Sequence, residues 1–221
     1  MLELRSYGNT ELFEYLGTKN NSDTAKKLKR YNVEYTTEGR GKDCVYTITA
    51  INEPFRLFCV FDVGLDPRMD FTHFRDFMYL LLCDDDFNWR PAEMMEQSMR
   101  ERGTPASRQT IGKWLKRLEN TNLFSRAGEP VYYRVYKYFG VQEQEIVSKE
   151  EYADAWKIYF DCKARGYDSP AAYSAMYNAF GGVPRKQLRF EQNGIYGEQL
   201  NRLTDIVVNE VMKEVGDLSK S

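Results

Sequence analysis

Apolar residues recur at helical spacing in the middle of the chain. Ile111, Leu115 and Leu118 follow one another at intervals of four and three, with Trp114 beside them. This period predicts an amphipathic helix with one apolar face. Ser107 precedes the pattern and is a typical N-cap, because its hydroxyl can accept a hydrogen bond from a backbone N–H of the first turn. We therefore expect a helix that is anchored on one side and faces outward on the other.

Alternating apolar and polar residues follow this helix. The segment VYYRVYKYF, which begins at Val131, is rich in Tyr and Val and predicts a strand. The shorter segment LFSRA predicts a second strand, and the residues Gly128, Glu129 and Pro130 predict the turn between the two. The pattern therefore predicts a β-hairpin directly after the helix.

Two further helices are predicted upstream of this one. Phe71, Phe74 and Leu81 lie at helical spacing in the segment MDFTHFRDFMYLLLC. A second helix begins at Pro91, a favoured residue of the first helical turn, and stops at Gly103. Together with the hairpin, these segments predict the order helix, helix, turn, helix, hairpin.

The N-terminal segment shows a shorter version of the same order. GNTELFEYLG predicts one helix, with Asn9 or Thr10 as its cap, and NNSDTAKKLKRYN predicts another, with Ser22 or Asp23 as its cap. VEYTTEGRGKDCVYTITAI predicts two strands around residues 38–42. Because the residues of the two copies do not align well, the repeat is one of architecture.

The remaining segments complete an α+β chain that is mostly helical. FRLFCVFDV predicts a strand in a linker region, and three helical patterns follow residue 141. The predicted division is 1–52, 53–69, 70–140 and 141–221. The aromatic residues of the last segment are expected to build a core, with a partner helix or a dimer contact as the alternative; they are Trp156, Tyr159, Phe160, Tyr173, Tyr177 and Phe180.

Charge is distributed unevenly along the chain. The 31 Lys and Arg nearly balance the 33 Asp and Glu, which gives a net charge of −2. Residues 102–140 nevertheless carry eight basic and two acidic side chains, whereas residues 52–101 carry five basic and eleven acidic ones. The basic segment is therefore a local feature, and it coincides with the predicted helix and hairpin.

Candidate catalytic and metal-binding chemistry is sparse. His73 is the only histidine, and the chain contains neither GxxxxGK[ST] nor GxGxxG. The cysteines are too far apart for a typical zinc motif and are expected to be buried and reduced; they are Cys44, Cys59, Cys83 and Cys162. The sequence offers no apolar run of about 20 residues and no secretion-signal pattern. We therefore expect no enzyme, metal or cofactor, no membrane partner, and a cytoplasmic location.

The order of elements and the placement of charge from Asp70 to Phe139 resemble the winged helix-turn-helix family of DNA-binding proteins. The resemblance implies two winged-helix modules followed by a C-terminal helical region, and double-stranded DNA as the partner. The basic helix would enter the major groove and the hairpin would reach the minor groove or the backbone. The predicted DNA-binding residues are Ser107, Arg108, Gln109, Thr110, Lys113, Lys116, Arg117, Arg126 and Arg134, with Lys26, Lys27, Lys29, Arg30, Arg40 and Lys42 in the N-terminal module.

Three functional classes remain open at this point. Tandem winged helices are used by transcriptional regulators and by replication initiators of phages and mobile elements, so the resemblance implies one of these. The alternative is a protein-binding inhibitor of a nucleic-acid enzyme, such as a phage counter-defence protein similar to an anti-CRISPR, whose partner is a host protein or a nucleoprotein complex. An enzyme is the weakest of the three. The C-terminal helices are a candidate for a homodimer contact.

Overall fold

A computed structural model describes residues 1–218 of the chain, and the side chains of residues 1–216. The fold is α+β, and more than half of the described residues lie in helices. The helices are α1 (Asn9–Leu16), α2 (Asn21–Arg30), α3 (Pro54–Phe61), α4 (Phe71–Cys83), α5 (Ala92–Glu101), α6 (Arg108–Asn120), α7 (Lys149–Ala164), α8 (Ser169–Phe180) and α9 (Gly197–Leu218). The strands are β1 (Ser6–Gly8), β2 (Val33–Glu38), β3 (Val45–Ile51), β4 (Phe124–Tyr138), β5 (Val141–Val147) and β6 (Val183–Gln192).

The chain divides into two compact units. Among the described residues, one contains 1–75 and 198–218, and the other contains 76–197. This division differs from the predicted segments 1–52, 53–69, 70–140 and 141–221, since the last helix belongs with the N-terminal residues. Each unit holds one three-stranded antiparallel sheet, with the order β1-β3-β2 in the first and β5-β4-β6 in the second.

The first unit packs α1 and α2 against its sheet. Leu12, Leu16 and Leu28 from the helices and Tyr46 and Ile48 from β3 are all buried in one cluster. The two predicted strands around residues 38–42 are confirmed as β2 and β3. The predicted N-caps of both helices are wrong. The N-cap of α2 is Asn20, whose side chain accepts a hydrogen bond from the backbone N–H of Asp23. For α1 the N-cap is Gly8, which has no side chain to offer.

The strand predicted within residues 53–69 is wrong. Pro54–Phe61 is the helix α3, which buries Phe55, Leu57, Phe58 and Cys59. A short apolar run does not by itself distinguish a buried strand from a buried helix. Pro54 is the better signal, because its fixed φ suits the first turn of a helix.

The second unit places α6 over a core of aromatic rings. The ring of Phe77 lies 5.2 Å from that of Trp114 and 5.6 Å from that of Phe87, measured between centroids. Phe124 and Phe190 stack at 5.1 Å and join β4 to β6. These contacts fix the inner face of α6, so its outer face has a defined direction.

The predicted turn at Gly128–Pro130 is wrong, and with it the predicted hairpin. β4 runs from Phe124 to Tyr138, and its pairing with β6 shifts register between Ala127 and Val131. Pro130 has no N–H to donate and therefore suits such an irregularity. The hairpin turn is instead Phe139–Gly140, since Tyr138 pairs with Val141.

The C-terminal region contains the three predicted helices, α7, α8 and α9, but it is not helical throughout. Val141–Val147 is the edge strand β5, and Val183–Gln192 is the strand β6, which pairs with β4. Arg185 therefore lies in a sheet. Among the described residues, no helix has the length and apolar character that a membrane crossing requires.

The hairpin turn holds an aromatic residue in an unfavourable backbone conformation. Phe139 and Gly140 have φ values of 47° and 83°, and two positive values in a two-residue turn are typical of a type I′ turn. Asn-Gly is the preferred sequence there, and the Phe139 side chain is 89% exposed. Phe139→Asn is therefore expected to raise the free energy of unfolding by about 0.5–1 kcal/mol.

Urea denaturation measures this change in the free energy of unfolding. Tyr138→Asn is the matched control, because the neighbouring strand position has an ordinary backbone and gains nothing from asparagine. A lower free energy of unfolding for Phe139→Asn than for the wild type would contradict the assigned turn.

Candidate nucleic-acid interface

The outer face of α6 is polar and partly basic. Four of its exposed positions, Gln109, Lys113, Lys116 and Asn120, succeed one another at intervals of four, three and four residues, which places them on one side of the helix. The opposite side is buried, as predicted, and consists of Ile111, Trp114, Leu115 and Leu118. The cations therefore project from a helix whose orientation is set by its core contacts.

The start of α6 is capped as the sequence predicts. The Ser107 hydroxyl accepts a hydrogen bond from the Thr110 backbone N–H at 3.2 Å, and the two hydroxyl oxygens lie 3.0 Å apart. The dipole of the helix makes this end partially positive. Ser107 and Thr110 thus stabilise the helix start beside the exposed side chain of Gln109.

Three cations of α6 have no partner among the residues that the structure describes. Within the part of the chain that the structure describes, Lys113, Lys116 and Arg117 form no ion pair and no side-chain hydrogen bond. Lys113 is three residues from Lys116 and four from Arg117, spacings at which like charges repel each other by a few tenths of a kcal/mol. The free protein therefore carries a small electrostatic cost that an anionic partner would relieve.

Arg108 lies at the same helix but is engaged by a carboxylate. Its guanidinium donates to Glu93 Oε1 of α5 at 3.0 Å, and Arg185 of β6 donates to the same oxygen at 2.8 Å through Nε. Glu93 is only 7% exposed. Burial alone would raise the pKa of Glu93, but the hydrogen bonds from Arg185 and Arg108 outweigh it and hold the pKa below its usual value.

The two arginines predicted for the hairpin do not lie at its tip. Arg126 pairs with Glu119 at 2.5 Å, beside the end of α6. Arg134 lies mid-strand, contacts Glu145 at 3.2 Å and covers the ring of Phe180 at 4.7 Å. The residues exposed at the tip are instead Lys137, Tyr138, Phe139 and Val141. The sequence does not indicate them, because its composition predicts the turn at Gly128–Pro130.

The predicted DNA-binding cations of the first unit fall into two groups. Lys27 donates to the Leu16 carbonyl at 2.5 Å and so holds the end of α1, and Lys26 lies 3.6 Å from Asp23. The others are exposed and form no ion pair among the described residues; they are Lys29, Arg30, Arg40 and Lys42. Lys29 and Arg30 end α2, and Arg40 and Lys42 lie in the β2–β3 turn.

Residues suited to acid–base, redox or metal chemistry are dispersed. The His73 ring contacts Asp70 at 2.7 Å between Nδ1 and Oδ2, on the surface. The described residues include no group of three or more His, Cys, Asp or Glu placed to hold a metal ion. The expectation of uniformly buried thiols is wrong, because Cys83 at the end of α4 is exposed and Cys162 is half-buried, although Cys44 and Cys59 are buried.

Comparison with family models, curated proteins and solved structures found no match for this chain.

Proposed function

We propose that the protein binds double-stranded DNA through the outer face of α6, as a transcriptional regulator or a replication initiator. The observation that carries this proposal is a set of three cations, Lys113, Lys116 and Arg117, that have no partner among the described residues and lie on a helix anchored by buried apolar side chains. Lys and Arg neutralise phosphates and release counterions, which is the main source of affinity for DNA.

The dimensions of α6 support this assignment. A helix about 10–12 Å across fits the major groove, which is roughly 12 Å wide. In this placement Gln109 can pair with adenine and Arg117 with guanine, while Lys113 and Lys116 contact phosphates. Arg108 is available only if it leaves Glu93, so we assign it a supporting role in holding α6 against α5.

The order of elements also supports the winged-helix interpretation. In the second unit most of α4, then α5 and α6, precede the β4–β5 hairpin, and in the first unit α1 and α2 precede the β2–β3 hairpin. Each unit thus presents one basic helix followed by a hairpin. We propose that Lys29, Arg30, Arg40 and Lys42 form a second DNA contact.

Salt-dependent binding tests the proposal. A fluorescent duplex should bind the full chain, and the logarithm of the affinity should fall linearly with the logarithm of salt, with a slope of about −0.9 per neutralised phosphate. Three contacts from α6 alone give a slope of about −2.7 and an affinity loss of about 40-fold between 50 and 200 mM salt. Absence of duplex binding at 50 mM salt would contradict the proposal.

A protein-binding inhibitor is the second candidate function. Two observations favour it: the acidic turn after α4 has Asp85 and Asp86 exposed, and the hairpin tip exposes Tyr138, Phe139 and Val141. Such a protein would form a stoichiometric complex with a protein partner. Affinity purification from a lysate with and without nuclease treatment distinguishes the two, because only a protein partner remains after the nucleic acid is removed.

A further inference from the structure

Four aromatic rings form a continuous row on the second unit, on a different helix from α6. Tyr132 of β4 lies 4.8 Å from Tyr152 of α7, Tyr152 lies 6.5 Å from Trp156, and Trp156 lies 6.2 Å from Phe160, all between ring centroids. The three helical members are four residues apart and therefore share one face of α7. They line an open cleft of about 580 Å³.

Only part of this row is packed into the hydrophobic core. Tyr132, Tyr152 and Trp156 are half-buried and pack against a cluster that includes Ala155 and Met176. Phe160 is 61% exposed, which is unusual for so large an apolar side chain beside other rings. The expectation that Phe160 belongs to the core is thus wrong, because it extends the row beyond the packed cluster.

Three lysines line the same cleft. Lys149 and Lys157 lie on the ring-bearing face of α7, about 12 Å apart along the helix axis, and Lys186 lies directly opposite Tyr132 in the pairing of β4 with β6. All three are exposed, and none forms an ion pair with another described residue. The cleft therefore combines planar apolar surfaces with uncompensated positive charge.

The acidic residues of α7 are kept away from this face. Glu150, Glu151, Asp154 and Asp161 occupy other positions of the helix and do not line the cleft. Glu151 is engaged in the N-terminal capping box with Ser148. This separation of charge along one helix means that the cleft favours an anionic ligand.

We propose that this cleft binds a segment of single-stranded nucleic acid. Unpaired bases stack on Trp156 and Phe160, and the lysines contact the phosphates, which is the combination that single-strand binding requires. Paired bases in a duplex do not offer their faces, so the ligand differs from that of α6. An acidic peptide would satisfy the lysines but would leave the row of rings without planar partners. The inference extends the proposed function and does not depend on it.

Titration of the full chain with fluorescent oligothymidylate of 12 nucleotides tests this proposal, with oligouridylate in parallel to identify the preferred sugar. Phe160→Ala is expected to raise the Kd about tenfold, since the loss of one base stacked on an aromatic side chain corresponds to roughly 5- to 150-fold in Kd. Because Phe160 is exposed, the fold tolerates the change. Tyr167→Ala removes an exposed aromatic ring outside the cleft and should leave the Kd within twofold.

The lysines are tested through the salt dependence of the same titration. Lys149→Gln combined with Lys157→Gln should reduce the slope by about 1.4, at about 0.7 per phosphate of a single strand. Lys19→Gln, an exposed charge in the other unit, should leave the slope unchanged.

Two outcomes would overturn the proposal. One is an oligonucleotide Kd that stays within twofold in both Phe160→Ala and the double-lysine variant. The other is displacement of the oligonucleotide by polyglutamate at equal concentration, which would assign the cleft to acidic peptides. Duplex binding is tested independently of single-strand binding. Substitution of Lys113 and Arg117 should leave the single-strand Kd unchanged, and substitution of the cleft residues should leave the duplex Kd unchanged.

Discussion

Phe77→Ala is expected to lower the free energy of unfolding by about 3–5 kcal/mol. The Phe77 side chain is fully buried, with 0% exposure, and its ring contacts those of Phe87 and Trp114. Truncation removes buried apolar area and leaves a cavity that the surrounding rings fill only in part. Urea denaturation measures the loss through the transition midpoint.

Tyr167→Ala is the control for this measurement. It also removes a large ring, but one that is about half exposed, and it should change the free energy of unfolding by no more than about 0.5 kcal/mol. A loss of less than about 1 kcal/mol for Phe77→Ala would show that the core beneath α6 is not packed as described. The orientation of Lys113 and Lys116 depends on that core.

Glu93→Gln is expected to lower the free energy of unfolding by about 1–3 kcal/mol at pH 7. Glu93 is buried and accepts hydrogen bonds from Arg108 and Arg185, which are 15 and 92 residues away in the sequence. An amide retains the shape but provides no charge to balance the two guanidinium groups. Both arginines are partly exposed, and water therefore screens part of the loss.

The pH dependence of stability provides a second signature of the same network. The pKa of Glu93 is lower in the folded protein than its ordinary value of 4.5, so the unfolded state binds a proton first as the pH falls. The contribution of Glu93 is fully present above about pH 4.5 and is lost progressively as the pH falls through the folded pKa. The wild-type advantage over Glu93→Gln should therefore shrink in acid.

Urea denaturation at pH 7 and at pH 3 measures this difference between the two proteins. Glu96→Gln is the matched control on the same helix, because its contact with Arg100 is longer, at 3.7 Å, and involves an exposed arginine. It should change the free energy of unfolding by no more than about 0.5 kcal/mol. Equal effects of the two substitutions at pH 7 would contradict the network.

Local signals in the sequence were sufficient to predict α6. The spacing of Ile111, Leu115 and Leu118 and the cap at Ser107 depend on residues within one helix, and the structure contains both. The capping box of Ser148 and Glu151 is a signal of the same local kind, since the two residues are three apart in the sequence. Such features require no knowledge of what packs against them.

The hairpin was predicted wrongly because its pairing is not local. Gly128–Pro130 has the composition of a turn, but β6, some 55 residues further along the chain, pairs with both halves of β4 and keeps it continuous. The turn at Phe139–Gly140 carries an unusual residue and gave no clear signal. Pairing between distant segments decided the structure here.

In the candidate site, too, local features are predicted from the sequence and contacts between distant residues are not. The exposed cations of α6 follow from helical periodicity, whereas the ion pairs of Arg108, Arg126 and Arg134 depend on partners brought together by the fold. Two members of the aromatic row, Trp156 and Phe160, are predicted to be core, because apolar composition alone does not indicate which side of a ring is covered. Phe160 shows the largest difference from this prediction, because most of its side chain is exposed.

Duplex binding by the Lys113→Ala, Arg117→Ala double variant is the most direct test of the central claim, that the outer face of α6 binds DNA. Lys163→Ala with Arg165→Ala, two exposed cations at the end of α7, is the matched control. We predict that the first variant binds at least about tenfold more weakly and that its salt slope falls by about 1.8, while the control retains both values. Unchanged duplex affinity and salt slope in the α6 variant would contradict the account.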